Sequence, residues 1–436
     1  MQRNIPKIHV QMAKNKFGSK LGVVMAAAGS AVGLGNVWRF PYLAGENGGG
    51  AFLLVYIICV LVIGIPVMMS EFVIGRRGGG NAVGAMRSLS GGRKWDWVGA
   101  ICILCSILIL AFYLVVTGWC VKFFLLSLFG AAPADWINTL IALGLNVLIL
   151  GLGVEKGIEK VSTVLMPLLL VLLVMLVVRS LTLPNSGEGI RFLFEPDFTK
   201  ITTDVWLAAL SQSFFTLSLG MGCMLTYASY MKKEQNLWST AAQVASIDTL
   251  VAILAGVAVF PAVFSLGFSP TEGPQLVFDV LPEVFHSMPG GSVFGVLFFL
   301  LLLIAAVTSA ISIQEIQVAY LNEQHQMSRS KALVWTTAVA FALAMLCSLS
   351  LDGSLSIGGR GLFDWFDYLT SKFLMPLSAI GFVLYLGWFY PTEESRDEIK
   401  QGSEGREWLF QTWLWTIRTV VPAGIFIIFL HGLGAF

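Results

Sequence analysis

The chain of 436 residues is a succession of long apolar stretches joined by short polar segments. A stretch of about 20 apolar residues is long enough to cross the hydrocarbon core of a membrane as a helix. Backbone amides cannot stay unpaired in lipid, so such segments must be helices or closed barrels. Eleven spans are predicted, near residues 21–45, 51–75, 97–129, 134–152, 157–181, 206–230, 239–266, 293–321, 331–350, 364–390 and 408–434. The pattern therefore predicts an all-α polytopic membrane protein.

Composition supports a lipid environment. Hydrophobic residues make up 56% of the chain and charged residues 12%, about half the usual charged share. The net charge of +1 gives no reason to expect a nucleic acid as partner. All six cysteines lie in apolar runs, where they pack as small hydrophobes. Cys102 and Cys105 lack the second pair that a zinc site or a disulfide framework would need.

Lysine and arginine predict the orientation, because they concentrate before span 1 and in alternate loops. By the positive-inside rule the N-terminus is cytoplasmic, and an odd number of spans places the C-terminus outside the inner membrane. Lys14, Lys16 and Lys20 before an apolar run resemble a signal peptide, but the apolar character resumes after the break, so we predict a retained first span. The long external loops, 184–205 and 267–292, are lids or simple covers.

Glycines interrupt two spans in mid-membrane, at 28–36 in span 1 and 216–222 in span 6. Close helix packing through small residues would explain either cluster alone. However, polar Asn36, Arg39 and Ser218 lie at the same breaks. Spans 1 and 6 are also five spans apart, so they enter the membrane from opposite sides, as the first helices of an inverted repeat do. Interrupted spans at matching positions indicate the binding site of a transporter.

Several motifs closely resemble the neurotransmitter:sodium symporters. They are Gly29 to Pro41 (GSAVGLGNVWRFP), Glu46 to Phe52 (ENGGGAF), Gly64-Ile-Pro66 with Glu71, Gln212 to Gly222 (QSFFTLSLGMG) and Thr308-Ser309. The resemblance implies a leucine-transporter-type fold, a 5+5 inverted repeat plus an eleventh helix. It also implies sodium-coupled import of a neutral, hydrophobic L-amino acid, aliphatic or aromatic, by alternating access.

The implied organisation has six segments. They are a cytoplasmic N-terminal segment (1–20), spans 1–5 (21–182), an external loop (183–205), spans 6–10 (206–390), a cytoplasmic loop (391–407) and span 11 (408–436).

The chemistry of the breaks suits a zwitterion. The amides of Leu34 and Gly35 begin a half-helix, whose partial positive charge favours a carboxylate, and by resemblance Tyr113 adds its hydroxyl. The ammonium would face the carbonyls and hydroxyl of Ala31, Phe215, Thr216 and Ser218. The implied side-chain pocket is lined by Ile109, Phe215, Met221, Ser309 and Ile313. The pocket carries no charge, which excludes substrates with charged side chains. Met221 is flexible, so both aliphatic and aromatic amino acids stay open as substrates.

The resemblance implies two sodium ions, which prefer oxygen ligands as other hard cations do. The first would bind Ala31, Asn36, Thr216, Asp248 and the substrate carboxylate, and that shared carboxylate would couple ion to substrate. The second would bind Gly29, Val32, Ala305, Thr308 and Ser309. Hydrogen bonding of Thr308 and Ser309 to their own helix is the alternative.

No chloride is expected. Two cations beside a neutral zwitterion need a negative charge in low dielectric, and Asp248 supplies one, whereas relatives show an acidic or hydroxyl residue where Ala252 stands. The alternatives are a protonated Asp248 that mimics asparagine, or an alignment shifted by one turn.

The resemblance also assigns gates. Arg39 and Asp367 align with the outer gate, with Phe215 as a lid, and Lys14 and Glu323 align with the inner gate. We expect Glu71 to bond to the span 6 backbone.

Gly157 and Pro167 weaken the cytoplasmic half of span 5. They produce either a static kink or a local unwinding.

Three other functions agree less well with the sequence. A channel needs rings of charge or carbonyls around an axis, which two unlike breaks do not supply. An intramembrane enzyme would need catalytic or metal-binding spacing that the spans lack, and a non-transporting receptor would not need intact ion sites. The particular amino acid, the ion stoichiometry and the oligomeric state stay open.

Overall fold

The computed structural model describes residues 16–265, 267–271, 277–278, 281–282, 285, 290–351, 353, 355–401 and 407–432. One helix or a series of two to four consecutive helical segments covers each of the eleven predicted spans, and the ends of all of them lie within about three residues of the prediction. Hydropathy predicts these ends because the residues of a membrane helix change from apolar to polar where the helix leaves the lipid for water.

Spans 1 to 5 consist of helices of unequal length. Span 1 comprises Lys20–Ala31, a π-helical turn Gly35–Arg39 and Phe40–Glu46. Span 2 comprises Gly50–Cys59, the π turn Val60–Gly64 and Ile65–Gly78. Spans 3 and 4 are Asp96–Phe129 and Asp135–Gly151, and span 5 comprises the π turn Val154–Glu159 and Lys160–Leu181.

Spans 6 to 11 include three further interrupted helices. Span 6 comprises Thr203–Thr216 and Cys223–Ser229, and spans 7, 8 and 9 are Leu237–Ser265, Gly291–Gln324 and Arg329–Leu351. Span 10 comprises Leu362–Leu369, Thr370–Leu374, Met375–Leu384 and Tyr385–Phe389. Span 11 comprises Glu407–Arg418 and Val420–Gly432.

Within the described ranges, seven helices could cross a membrane by length and composition alone, or eight when the bent pair of span 1 counts as one. The other three predicted spans are a helix of 17 residues, Asp135–Gly151, and the interrupted spans 6 and 11. Many exposed side chains in the middle of spans 4, 5 and 9 are apolar, among them Leu148, Val164 and Val334. Such a surface suits a protein surrounded by lipid, because an apolar side chain gains little from burial inside the bundle relative to contact with acyl chains.

The connecting segments carry short elements. Ala82–Ser90 and Arg93–Trp95 join spans 2 and 3, Ser186–Phe194 and Phe198–Lys200 follow span 5, and Thr392–Lys400 follows span 10. Strands Ser356–Ile357 and Arg360–Gly361 form an antiparallel hairpin before span 10.

Ion pairs attach the Thr392–Lys400 helix to the C-terminal end of span 2. Arg76 pairs with Glu398, and both side chains are almost fully buried. Arg77 and Tyr390 each donate to Glu394 at 2.7 Å. Tyr390 first and Arg77 second hold the pKa of the Glu394 carboxyl below its ordinary value.

The breaks of spans 1 and 6 face each other in the middle of the bundle. Span 1 bends by 46° between its two halves, where Val32 is extended. In span 6, Ser218 (φ 53°) and Gly222 (φ 88°) adopt left-handed conformations that end the helical ladder. Backbone groups released by such breaks must find partners inside the membrane, and those partners define the candidate site.

Candidate substrate and ion site

Side chains from other spans satisfy the backbone at both breaks. Glu71, fully buried, accepts the amides of Gly220 (2.7 Å) and Leu225 (3.3 Å), which is the predicted bond to span 6. Ser378 donates to the Gly220 carbonyl. Within span 1, the Asn36 side chain accepts the Gly33 amide at 2.9 Å. The breaks are therefore held open by defined hydrogen bonds.

A buried carboxylate lies beside the break of span 1. Asp248 Oδ1 accepts from Asn36 Nδ2 (2.7 Å) and Thr216 Oγ1 (2.9 Å), and Oδ2 accepts from the Tyr56 hydroxyl (3.2 Å). We call these four residues the Asp248 cluster. Asp248 is fully buried, and no ion pair to it exists among the described residues. A buried charge held only by neutral donors retains its attraction for a small cation.

The structure thus brings together Asn36, Thr216 and Asp248, three of the residues predicted for the first sodium. Ala31 lines the adjacent cavity. Tyr56 was missed, because a tyrosine inside an apolar run carries no sign of its partner. Its hydroxyl bonds to Asp248 from span 2 and fixes one oxygen of the carboxylate.

A second polar cluster joins span 1 to span 8. The Ser309 hydroxyl lies 3.5 Å from the Gly29 carbonyl, 3.2 Å from that of Ser30 and 3.5 Å from that of Val32. The Thr308 hydroxyl instead donates to its own helix, to Ile304 (3.0 Å) and Ala305 (3.1 Å). We call Thr308, Ser309 and these span 1 carbonyls the Ser309 cluster. All five residues predicted for the second sodium therefore lie in or next to it, although Thr308 makes the intrahelical bond of the alternative interpretation.

A small cavity lies between the two clusters. Its volume is about 20 Å³, close to the space of one water molecule. Its lining includes predicted residues and adds Ser30 and Gly33, which the sequence analysis did not identify. The predicted members are Ala31, Gly35, Ile109, Tyr113, Phe215, Ser218, Met221, Ser309 and Ile313. No side chain in the lining carries a formal charge, and the present conformation is closed around the space.

The polar groups predicted for the zwitterion are engaged with one another in this closed conformation. The Leu34 amide donates to the Tyr113 hydroxyl at 3.2 Å, and the Ser218 hydroxyl donates to the Ser30 carbonyl at 2.9 Å. The Phe215 carbonyl accepts the Ser218 amide at 3.2 Å. Leu34 and Thr216 do not line the cavity. A ligand would have to replace these internal bonds with its own.

Of the predicted gate residues, Arg39 and Asp367 lie at one end of the site and Glu323 at the other, and no ion pair joins Arg39 to Asp367 in the described part of the chain. The Arg39 guanidinium stacks on the Phe215 ring, 4.5 Å from its centroid, and one of its terminal nitrogens has no hydrogen-bond partner. Asp367 accepts from Ser371 at 3.0 Å. At the other end Glu323 accepts from the amide and side chain of Asn81, at 2.5 and 2.9 Å, and Lys14 lies outside the described residues.

Comparison with known proteins identifies the family to which this arrangement belongs. Residues 14–141 and 134–436 match the sodium:neurotransmitter symporter family. The chain belongs to this family. It is 41% identical over 441 residues to the uncharacterized sodium-dependent transporter YhdH of Bacillus subtilis, covering 96% of this chain and 98% of that one. It is 37% identical to an uncharacterized sodium-dependent transporter of Haemophilus influenzae, covering 96% and 98%.

A solved structure shares the fold. The crystal structure of MhsT in complex with L-phenylalanine matches with a TM-score of 0.89 and 40% identity, covering 96% of this chain and all of that one. The predicted leucine-transporter-type fold is confirmed. The protein is a sodium-dependent membrane transporter and not an enzyme.

Proposed function

We propose that this transporter imports a neutral, hydrophobic L-amino acid, aliphatic or aromatic, together with sodium. The observation that carries the proposal is an uncharged cavity at two helix breaks. Its lining residues Gly35 and Phe215 directly precede Asn36 and Thr216, which bond to a buried carboxylate that has no ion-pair partner among the described residues. The breaks offer an amide end for the substrate carboxylate and a carbonyl end for its ammonium. A charged substrate side chain would find no partner among Ile109, Met221 and Ile313.

Sodium at the Asp248 cluster would share the substrate carboxylate as a ligand, with Ala31, Asn36, Thr216 and Asp248 supplying the rest. Sodium at the Ser309 cluster would bind Gly29, Val32, Ala305, Thr308 and Ser309. Asp248 provides the negative charge that two cations and a zwitterion need, so chloride is not required. Each ion joins the broken span 1 to a neighbouring span, to spans 6 and 7 in the first case and to span 8 in the second.

Transport by alternating access follows from this placement. Opening the external side enlarges the cavity and separates Arg39 and Phe215 from Asp367, while Glu323 and Lys14 close the cytoplasmic side. Opening the cytoplasmic side releases ions and substrate. The proposal places the protein in the inner membrane with a cytoplasmic N-terminus and an external C-terminus. It divides the chain into repeats 21–182 and 206–390, with span 11 peripheral.

The choice of hydrophobic cargo is supported by the uncharged lining and by MhsT, whose structure is in complex with L-phenylalanine. Thermal-shift measurements of the purified protein with each of the twenty amino acids, in sodium and in potassium, test it. We expect stabilisation by leucine, isoleucine, methionine, phenylalanine or related residues only in sodium. Stabilisation by lysine, arginine, aspartate or glutamate would contradict the proposed cargo.

Proteoliposome uptake distinguishes a transporter from a channel. An imposed sodium gradient should concentrate the stabilising amino acid above its external level, and collapsing the gradient with a sodium ionophore should release it. Equilibration without accumulation would contradict coupled transport.

A further inference from the structure

A single carboxylate from span 5 holds the cytoplasmic beginning of span 1. Glu159 accepts the Gly18 amide at 2.7 Å, the Ser19 amide at 3.1 Å and the Ser19 hydroxyl at 2.8 Å. Its side chain is almost fully buried, with 7% exposed. No residue assigned to the substrate site, the ion sites or the gates takes part in these bonds.

These bonds lie at the positive end of a helix. Ser19 caps the helix Lys20–Ala31, since its hydroxyl accepts the Gly22 amide at 2.9 Å. Amides at a helix N-terminus lack intrahelical acceptors, and a negative charge there is favourable. Hydrogen bonds to an ionised acceptor are also about twice as strong as neutral ones. Glu159 therefore binds the first half of span 1 more firmly than a neutral cap would.

The fit between the two spans depends on Gly22. A methyl group at this position would overlap the Glu159 carboxylate. Only glycine allows the carboxylate to lie against the first turn of span 1. A substitution at Gly22 thus offers a second way to displace Glu159, without altering its charge.

The bonds connect two elements that are each interrupted. Glu159 is the last residue of the π turn Val154–Glu159 of span 5, and π turns often mark functional positions. The helix that begins beside Glu159 ends at Ala31, at the break of span 1. Lys232, in the loop after span 6, donates to the Gly18 carbonyl at 3.1 Å on the other side. The half-helix Lys20–Ala31 cannot leave its place unless the Glu159 bonds are released.

We propose that Glu159 is a positioning residue that latches the cytoplasmic half of span 1 closed, and that its release accompanies opening of the site to the cytoplasm. The inference rests on the proposed alternating-access function. The latch favours the closed conformation in which the Asp248 and Ser309 clusters are assembled. Loosening it lowers the fraction of molecules competent to bind sodium, which weakens apparent affinity without changing the bound state.

Hydrogen exchange of the purified protein at increasing sodium concentration tests the latch. We compare wild type with Glu159→Gln and Gly22→Ala, and with the matched control Glu155→Gln, an exposed glutamate of the same π turn. Exchange is read in peptides covering 24–31 and Cys223–Ser229, whose amides do not bond to Glu159. The sodium concentration at half-protection should rise about fivefold or more in Glu159→Gln and Gly22→Ala, with wild-type protection at saturation.

The result separates a latch from a merely structural cap. A cap would raise exchange at every sodium concentration and leave the midpoint unchanged, which would overturn the proposal. Wild-type midpoints in both test variants would also overturn it. If Glu159→Gln does not fold, Gly22→Ala decides the question alone. Absence of sodium protection in wild type would instead contradict the proposed ion sites.

Discussion

The Asp248 cluster and the Ser309 cluster both contact the broken middle of span 1, but only the first contains a formal charge. Three neutral donors already surround the Asp248 carboxylate. In the Ser309 cluster one hydroxyl faces three carbonyls at 3.2 to 3.5 Å, and the other bonds to its own helix. We infer that the first cluster is preorganised for a cation, whereas the second is completed when the ion draws Thr308 toward span 1.

The largest effect is expected for Asp248→Ala. It removes the only charge of the cluster and the side-chain acceptor of Asn36, Thr216 and Tyr56, although Asn36 keeps its bond to the main-chain carbonyl of residue 248; each group left unsatisfied costs about 1–3 kcal/mol. The sodium concentration for half-maximal uptake should rise more than about 100-fold, because each tenfold corresponds to about 1.4 kcal/mol. Sodium-dependent uptake in proteoliposomes measures it. The control is Asp135→Ala, which removes a solvent-exposed aspartate paired with Lys122; equal effects of both variants would refute the distinction.

The second effect concerns the other cluster. Thr308→Ala combined with Ser309→Ala leaves only carbonyls, and concentrative uptake should be lost. Of the single variants, Ser309→Ala should weaken sodium dependence more, because only its hydroxyl reaches span 1 in the closed conformation. The control is Ser312→Ala in the same helix, whose hydroxyl donates to the Thr308 backbone carbonyl and accepts from Tyr227 and does not contact span 1. Wild-type sodium dependence in the double variant would disprove the second ion site.

A smaller effect is expected for Tyr56→Phe. The change removes one bond to Asp248, worth about 1 kcal/mol, and should weaken sodium binding about fivefold. Tyr390→Phe removes a hydroxyl at the end of span 10 that bonds to Glu394 instead and should leave sodium binding unchanged. Sodium titrations followed by intrinsic tryptophan fluorescence measure both. No change in Tyr56→Phe would mean that this hydroxyl does not support the carboxylate.

The last prediction is that transport does not depend on chloride. Replacing chloride by gluconate should leave sodium-driven uptake unchanged in wild type, because Asp248 supplies the negative charge. In Asp248→Asn, which retains size without charge, any remaining uptake should require chloride. A collapse of wild-type uptake in gluconate would show that Asp248 does not serve as the charge.

The sequence predicts the parts of this molecule that depend on local composition. The ends of the spans follow from hydropathy, and the breaks follow from glycines beside Asn36 and Ser218. Hydrogen bonds between distant spans are different, since Tyr56 and Glu159 become visible only when folding brings them to Asp248 and Gly18. The gates illustrate a further limit, because the sequence does not show that Arg39 stacks on Phe215 and that Asp367 accepts from Ser371.

The central claim is that sodium and a hydrophobic amino acid bind as a unit around the break of span 1. The most direct test is the affinity of the purified protein for L-leucine and L-phenylalanine, measured by equilibrium binding at rising sodium concentration with potassium as the replacement ion. We expect the apparent affinity for the favoured amino acid to tighten by at least about tenfold between low and saturating sodium, within the usual range of coupling. An affinity that does not change with sodium would contradict the account.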